Sequence, residues 1–206
     1  MSLEQLKREG ALWQGRRPQV AADRHLPSGW SVLDEVLGGG WPRDALTEII
    51  SESHHGLPLL LPLLARLSLA SRWLAWIAPP HVPYAPALVA RGIHVERLLL
   101  VRDVSAEQCL WAAEQALKSG GCGVVLAWPQ QLQAAQLRRL QLAAERGDCP
   151  GVLFRPPRAA RQASPAALRL RVRPAPLGLE VEALKRRGGW AGGHCIVPLP
   201  VVADPV

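Results

Sequence analysis

From Leu26 onward the chain alternates between short apolar runs and amphipathic stretches. Leu46–Ile50 (LTEII), Trp73–Ile77 (WLAWI), Leu98–Val101 (LLLV), Gly123–Trp128 (GVVLAW) and Gly151–Phe154 read as five strands. Most of them are apolar on both faces, the signature of parallel strands covered on both sides by helices. Between them, Leu57–Arg72, Tyr84–Arg91, the stretch from Ser105 and Gln131–Arg146 read as helices. The clearest is the third. Ser105 and Gln108 stand at capping-box spacing, and Ala106, Cys109, Leu110, Ala113, Ala116 and Leu117 make one apolar stripe. The pattern then changes. Leu168–Arg173 (LRLRVR) alternates strictly, Leu179–Lys185 alternates over its first residues, and a Pro-Ala-Pro-Leu-Gly turn lies between them. These two runs predict an antiparallel hairpin, in which Arg173 faces Glu180 and Arg171 faces Glu182. The expected fold class is α/β: a mainly parallel sheet flanked by helices, with a C-terminal antiparallel hairpin.

At the ends, residues 1–24 read as an amphipathic helix and a polar linker, with Leu3, Leu6 and Trp13 on one stripe of the helix. Residues 25–187 form the main domain, and the Gly/Pro-rich residues 188–206 read as an irregular tail.

Composition narrows the function classes. The 206 residues carry a net charge of +7. Residues 1–137 are balanced, with 12 Lys/Arg and 12 Asp/Glu, while residues 138–187 hold 12 Lys/Arg against 4 Asp/Glu. One quarter of the chain thus supplies the basicity, which suits a polyanion or an acidic protein surface. No apolar run approaches the roughly 20 residues of a membrane helix, and MSLEQLKREG has no signal-peptide pattern. A cytoplasmic, nucleoid-associated protein is the expectation. The four cysteines form no CxxC pair, and the adjacent His54 and His55 lack a third ligand nearby. No metal and no cofactor are expected.

Several stretches carry a resemblance. SGWSVLDEVLGGGWPRDALTEII (Ser28–Ile50) resembles the approach to the P-loop in the RecA/RadA group. In that register Ser51 stands for the first P-loop glycine, Gly56 for the second, Leu57 for the lysine and Pro58 for the Ser/Thr. A P-loop holds phosphate with backbone N–H groups, a lysine and a metal-ligating hydroxyl. Leu57 brings no charge and Pro58 neither a hydroxyl nor an N–H. The resemblance also places a water-activating glutamate where Pro79 and Pro80 stand, and a magnesium-binding aspartate where the fourth strand runs on through Ala127 and Trp128. The expectation is a degenerate site and no ATPase activity.

SRWLAWIAPP (Ser71–Pro80), ALKSGGCGVVLAWP (Ala116–Pro129), LRRLQLAAERG (Leu137–Gly147) and GVLFRP (Gly151–Pro156) resemble the SulA cell-division inhibitors. They resemble still more the ImuA family, RecA-like accessory proteins of translesion DNA synthesis. LWQGR (Leu12–Arg16), HLPSGW (His25–Trp30) and LKRRG (Leu184–Gly188) carry that preference. The ImuA resemblance implies a RecA-like core and a non-catalytic, SOS-induced role. Its partners would be ImuB, RecA and, indirectly, an error-prone polymerase alpha subunit, with DNA and a second copy of the chain as further candidates. Arg155, Arg158, Arg161, Lys185, Arg186 and Arg187 would be the DNA contacts. Leu3, Leu6, Trp13 and Trp111 would be partner contacts, Trp111 because it lies off the apolar stripe of its helix. The alternative is a SulA-type inhibitor that binds the tubulin-like division protein.

Overall fold

The computed structural model describes residues 24–53, 55–189 and 191–199. The N-terminal helix expected to carry Leu3, Leu6 and Trp13 lies outside them. A two-stranded ribbon, β1 (His25–Leu26) with β2 (Trp41–Pro42), brackets helix α1 (Ser31–Leu37). The Asp34 carboxylate accepts from the Ser28 amide at 2.7 Å and ties the approaching chain to the helix. Gly38 closes α1 in the left-handed region at φ 78°, where its N–H reaches the Asp34 and Glu35 carbonyls.

Then follow β3 (Leu46–Ile50), α2 (Leu61–Ser68), β4 (Trp73–Ile77), α3 (Ala85–Ala90), β5 (Leu98–Val101), α4 (Ala106–Lys118), β6 (Cys122–Ala127), α5 (Ala134–Gly147), β7 (Gly151–Arg155), β8 (Leu168–Ala175), β9 (Gly178–Arg186) and β10 (His194–Pro198). Leu57–Arg72, expected as one helix, divides into a 3₁₀ turn at Leu57–Leu60 and α2. Pro58 and Pro62 sit in the first turn of each, where the missing N–H is harmless. The α4 capping box forms as the spacing predicts: Gln108 N donates to Ser105 Oγ, and Ser105 N to Gln108 Oε1.

Eight strands make one sheet in the order β10-β9-β8-β3-β7-β6-β4-β5. Neighbours from β8 to β5 run parallel, and β9 and β10 are antiparallel to their neighbours. Alternate residues serve opposite faces. Val124 and Leu126 join a core with Leu33, Leu63, Leu64 and Leu88 from α1, α2 and α3. Val125 and Ala127 join a second core with Cys109, Ala113, Leu137 and Leu140 from α4 and α5. Gly147 lets α5 lie against the end of α4, since a Cβ there would meet the Leu117 carbonyl at 1.9 Å.

Two expectations are corrected here. Residues 188–206 do not form a wholly irregular tail: His194–Pro198 is a strand paired with Gly178–Glu182. Its run of HCIVP is short, and Pro198 masks it as strand. The hairpin is also not an appendage on a mainly parallel RecA-like core. It is continuous with one mixed sheet, whose helices flank both faces, and a RecA-like core is not shown.

Candidate functional site

Three surfaces carry chemistry. The first is buried. Glu48 in β3 stands opposite Arg169 in β8, and Arg155 ends the neighbouring strand β7 on the same face. Glu48 is 1% exposed and Arg155 2%. Arg169 Nε donates to Glu48 Oε2 at 2.6 Å. Arg155 Nη1 lies 3.5 Å from Glu48 Oε1 as an ion pair without hydrogen-bond alignment. One carboxylate therefore serves two guanidinium groups. Burial lowers the Arg155 pKa, Arg169 and Arg158 push it the same way, and Glu48 opposes them. Arg169 Nη2 also donates to the Ala159 carbonyl at 2.6 Å, which pins the 3₁₀ turn Pro157–Arg161.

Beside this cluster opens a cavity of about 830 Å³. It lies between the segment after β6, the first turn of α5 and the loop after β7. Gln130, Gln133, Gln136, Arg155, Arg158 and Gln162 supply its polar wall.

The candidate DNA contacts are distributed differently from the expectation. Arg155 is no surface group: it sits in the ion cluster and contributes to the cavity wall. Arg158 donates to the Gln130 carbonyl, and Lys185 to the Ser164 carbonyl. Burial, then Arg169 and Arg187, lower the Lys185 pKa. Arg186 donates to the Val36 carbonyl, and Arg187 pairs with Glu145 at 3.4 Å. In the hairpin Arg171 meets Glu182 at 2.7 Å and Arg173 meets Glu180 at 3.7 Å. Arg161 is exposed, in a groove with Ser51, Glu52, Arg171 and Arg173. Much of the basic segment is thus engaged in holding the fold.

The stretch expected as a degenerate P-loop begins at Ser51, which is buried after β3 with its Oγ lacking a hydrogen-bond partner among the described residues. Gly56 packs on Ile49, where a Cβ would meet Cγ2 at 2.3 Å. Leu57 and Pro58 open the 3₁₀ turn. Among the described residues no group of three His, Cys, Asp or Glu could hold a metal, and no helix is long and apolar enough to cross a membrane.

The third surface escaped the sequence reading. β5 is an edge strand, and its outer side pairs with no strand among the described residues. Its Leu99 is 44% exposed. Trp73, at the start of the adjacent β4, is also exposed, with the Arg97 guanidinium 5.9 Å from its ring centroid. Val82, Tyr84 and Val89 are exposed around α3, which joins β4 to β5. Five large apolar side chains from residues 73–99 are therefore exposed beside an open strand, on both sides of the sheet: Leu99 stands on the face of Ala75 and Ile77, whereas α3 packs through Leu88 on the opposite face. Monomeric domains usually blunt such an edge with charge. The signal was present in LLLV, whose unbroken apolar run suits a central strand as well as an open one. Trp111 is 63% exposed on α4.

The family model of the cell division inhibitor SulA matches residues 46–151, just over half of the chain. The chain belongs to the SulA family. The match runs from β3 to the start of β7 and includes the whole exposed edge. A SulA from Edwardsiella piscicida is 42% identical over 98 residues, covering 48% of this chain and 58% of the relative. One from Serratia marcescens is 36% identical over 100 residues, covering 48% and 60%. The chain thus spans about three fifths of the length of these relatives. A solved structure of SulA from Pseudomonas aeruginosa is 31% identical and covers 53% of this chain and 97% of that one, with a TM-score of 0.45.

These findings overturn the ImuA assignment, and with it the role in translesion synthesis and the partners ImuB, RecA and the polymerase alpha subunit. The stretches that favoured ImuA, at Leu12–Arg16, His25–Trp30 and Leu184–Gly188, all lie outside the matched span. Two of them have structural duties here. His25–Leu26 closes the small ribbon, and Arg186 reaches across to α1.

The thiols give a simple check on the packing. Burial pushes the Cys149 thiol up to about 12, and it raises Cys109, Cys122 and, with help from Glu35, the half-buried Cys195. At pH 8 the folded protein should react with a thiol reagent at Cys195 first and slowly. Cys149 should react only after unfolding, because the thiolate is the nucleophile. Rapid labelling of Cys149 in the native protein would show that α5 does not seal the sheet.

Proposed function

We propose that this chain is a cell-division inhibitor that acts by binding the tubulin-like division protein. The observation that carries the reading is the SulA family match over residues 46–151. The open outer side of β5 with its exposed Leu99, and the exposed Tyr84 and Val89 around α3, support it, since exposed apolar surface is characteristic of protein contacts. Aromatic anchors are enriched in such contacts, and Trp111 is a further candidate anchor. The action is by contact rather than by catalysis. No magnesium-dependent ATP turnover is expected. The site of action is the cytoplasm, where the division protein assembles.

Expression of the full chain in a rod-shaped bacterium tests this directly. Cells should elongate into unseptated filaments while their nucleoids continue to segregate. Normal septation at high levels of folded protein would refute the proposal.

A further inference from the structure

We propose that the cavity between α5 and the loop after β7 is a binding site for a phosphate group, held by Arg155, Arg158 and the first turn of α5. Three observations on different elements converge there. The first is an excess of positive charge. Two buried guanidinium groups share Glu48, and Arg158 adds a third cation at the cavity wall. Among the described residues no acidic side chain lines the cavity. The second is an unmet hydrogen-bonding demand. Arg155 is 2% exposed, and its Nε and Nη1 have no hydrogen-bond partner among the described residues. Nη2 donates to Gln162 Oε1 at 3.2 Å, and Nη1 faces Glu48 Oε1 at 3.5 Å as an ion pair only. Buried donors of this kind normally find an acceptor. The third is the N-terminus of α5, a helix of 14 residues, which opens onto the same space through Gln133, Ala134 and Gln136. The Gln133–Gln136 capping box takes up the Gln136 amide, leaving the Ala134 and Ala135 amides of the first turn without intrahelical acceptors, and such amides favour an anion.

Together these groups offer planar guanidinium donors and backbone N–H donors to one oxyanion, the combination that recognises phosphate. The lowered Arg155 pKa has the same origin, burial near Arg169 and Arg158, and an anion in the cavity would relieve it. At about 830 Å³ the space exceeds a bare phosphate, so an organic group bearing the phosphate also fits. The site is separate from the Ser51–Pro58 stretch, and it does not depend on how the chain acts on division.

The test is calorimetric titration of the full chain with inorganic phosphate, with chloride adjusted to constant ionic strength. A parallel titration uses a nucleoside monophosphate. Saturable one-site binding is expected, weakened about tenfold by Arg158→Ala, which loses one charge-assisted contact. Arg155→Lys keeps the charge beside Glu48 but not the planar fork, and it should weaken binding at least as much. Tighter binding of the monophosphate would assign the ligand as a phosphorylated metabolite, and equal binding would assign it as the free ion. Absence of saturable binding, or affinity unchanged in both variants, would overturn the proposal.

Discussion

Glu48→Ala should be among the most destabilising single substitutions in this protein. The side chain is 1% exposed in the centre of the sheet, between β7 and β8, and it is the acidic partner of both Arg155 and Arg169. Removing it leaves two guanidinium groups buried and uncompensated. Breaking a buried pair in this way costs on the order of 3–5 kcal/mol. For a domain of this size each kcal/mol lowers Tm by about 2–4 °C, so a fall of roughly 10 °C is expected. The damage should extend beyond the sheet, because Arg169 also holds the Ala159 carbonyl and with it the turn that carries Arg158 and Arg161. Replacing all three members by Leu or Met of similar volume should cost much less than the single change, since no charge is left stranded. Urea and thermal unfolding of the single and triple variants decide the matter. A loss below about 1 kcal/mol for Glu48→Ala would mean that the arginines find other partners or water.

A second large effect is expected at the sheet edge, this time in function and not in stability. Tyr84 is 71% exposed and Leu99 44% exposed. Neither contributes much to the core, so Tyr84→Ala combined with Leu99→Lys should leave the unfolding midpoint nearly unchanged. If the edge is the partner surface, the pair should cost about 2 kcal/mol or more of binding, because a few apolar anchors dominate such contacts. That is roughly a thirtyfold loss of affinity, and filamentation should fail at expression levels where the parent arrests division. The added lysine also discourages strand addition along β5. A variant that unfolds, or one that binds as well as the parent, would move the contact elsewhere.

The positions of the elements were largely legible in the sequence. The strands β3 to β7, the capped helix α4 and the register of the hairpin all follow from local signals: apolar runs, a capping box, strict alternation and charge pairing across strands. What the chain did not disclose is how distant segments meet. Glu48 reads as one polar residue in an apolar strand, and its partners lie more than 100 residues away in the sequence. Arg155 and Lys185 read as parts of a basic run, whereas the burial of Arg155 and the partial covering of Lys185 depend on the tertiary packing of β7, β8 and β9. The exposure of Leu99 depends on β5 being last in the sheet, a matter of strand order that periodicity does not encode. The strand His194–Pro198 was hidden by the Gly and Pro around it.

The family assignment turned on a similar point. The stretches at His25–Trp30 and Leu184–Gly188 drew the reading toward ImuA, but each has a packing duty: His25–Leu26 pairs with Trp41–Pro42, and Arg186 donates to the Val36 carbonyl of α1. The matched span runs instead from β3 to the start of β7, and it carries the exposed apolar side chains Trp73, Tyr84 and Leu99.

The most direct measurement is the binding of the purified full chain to the purified tubulin-like division protein, read together with polymer assembly by light scattering. Saturable binding without added ATP and a dose-dependent loss of assembly are expected, both abolished by the Tyr84 and Leu99 substitutions. Undiminished assembly at a saturating excess of folded protein would contradict the proposed function.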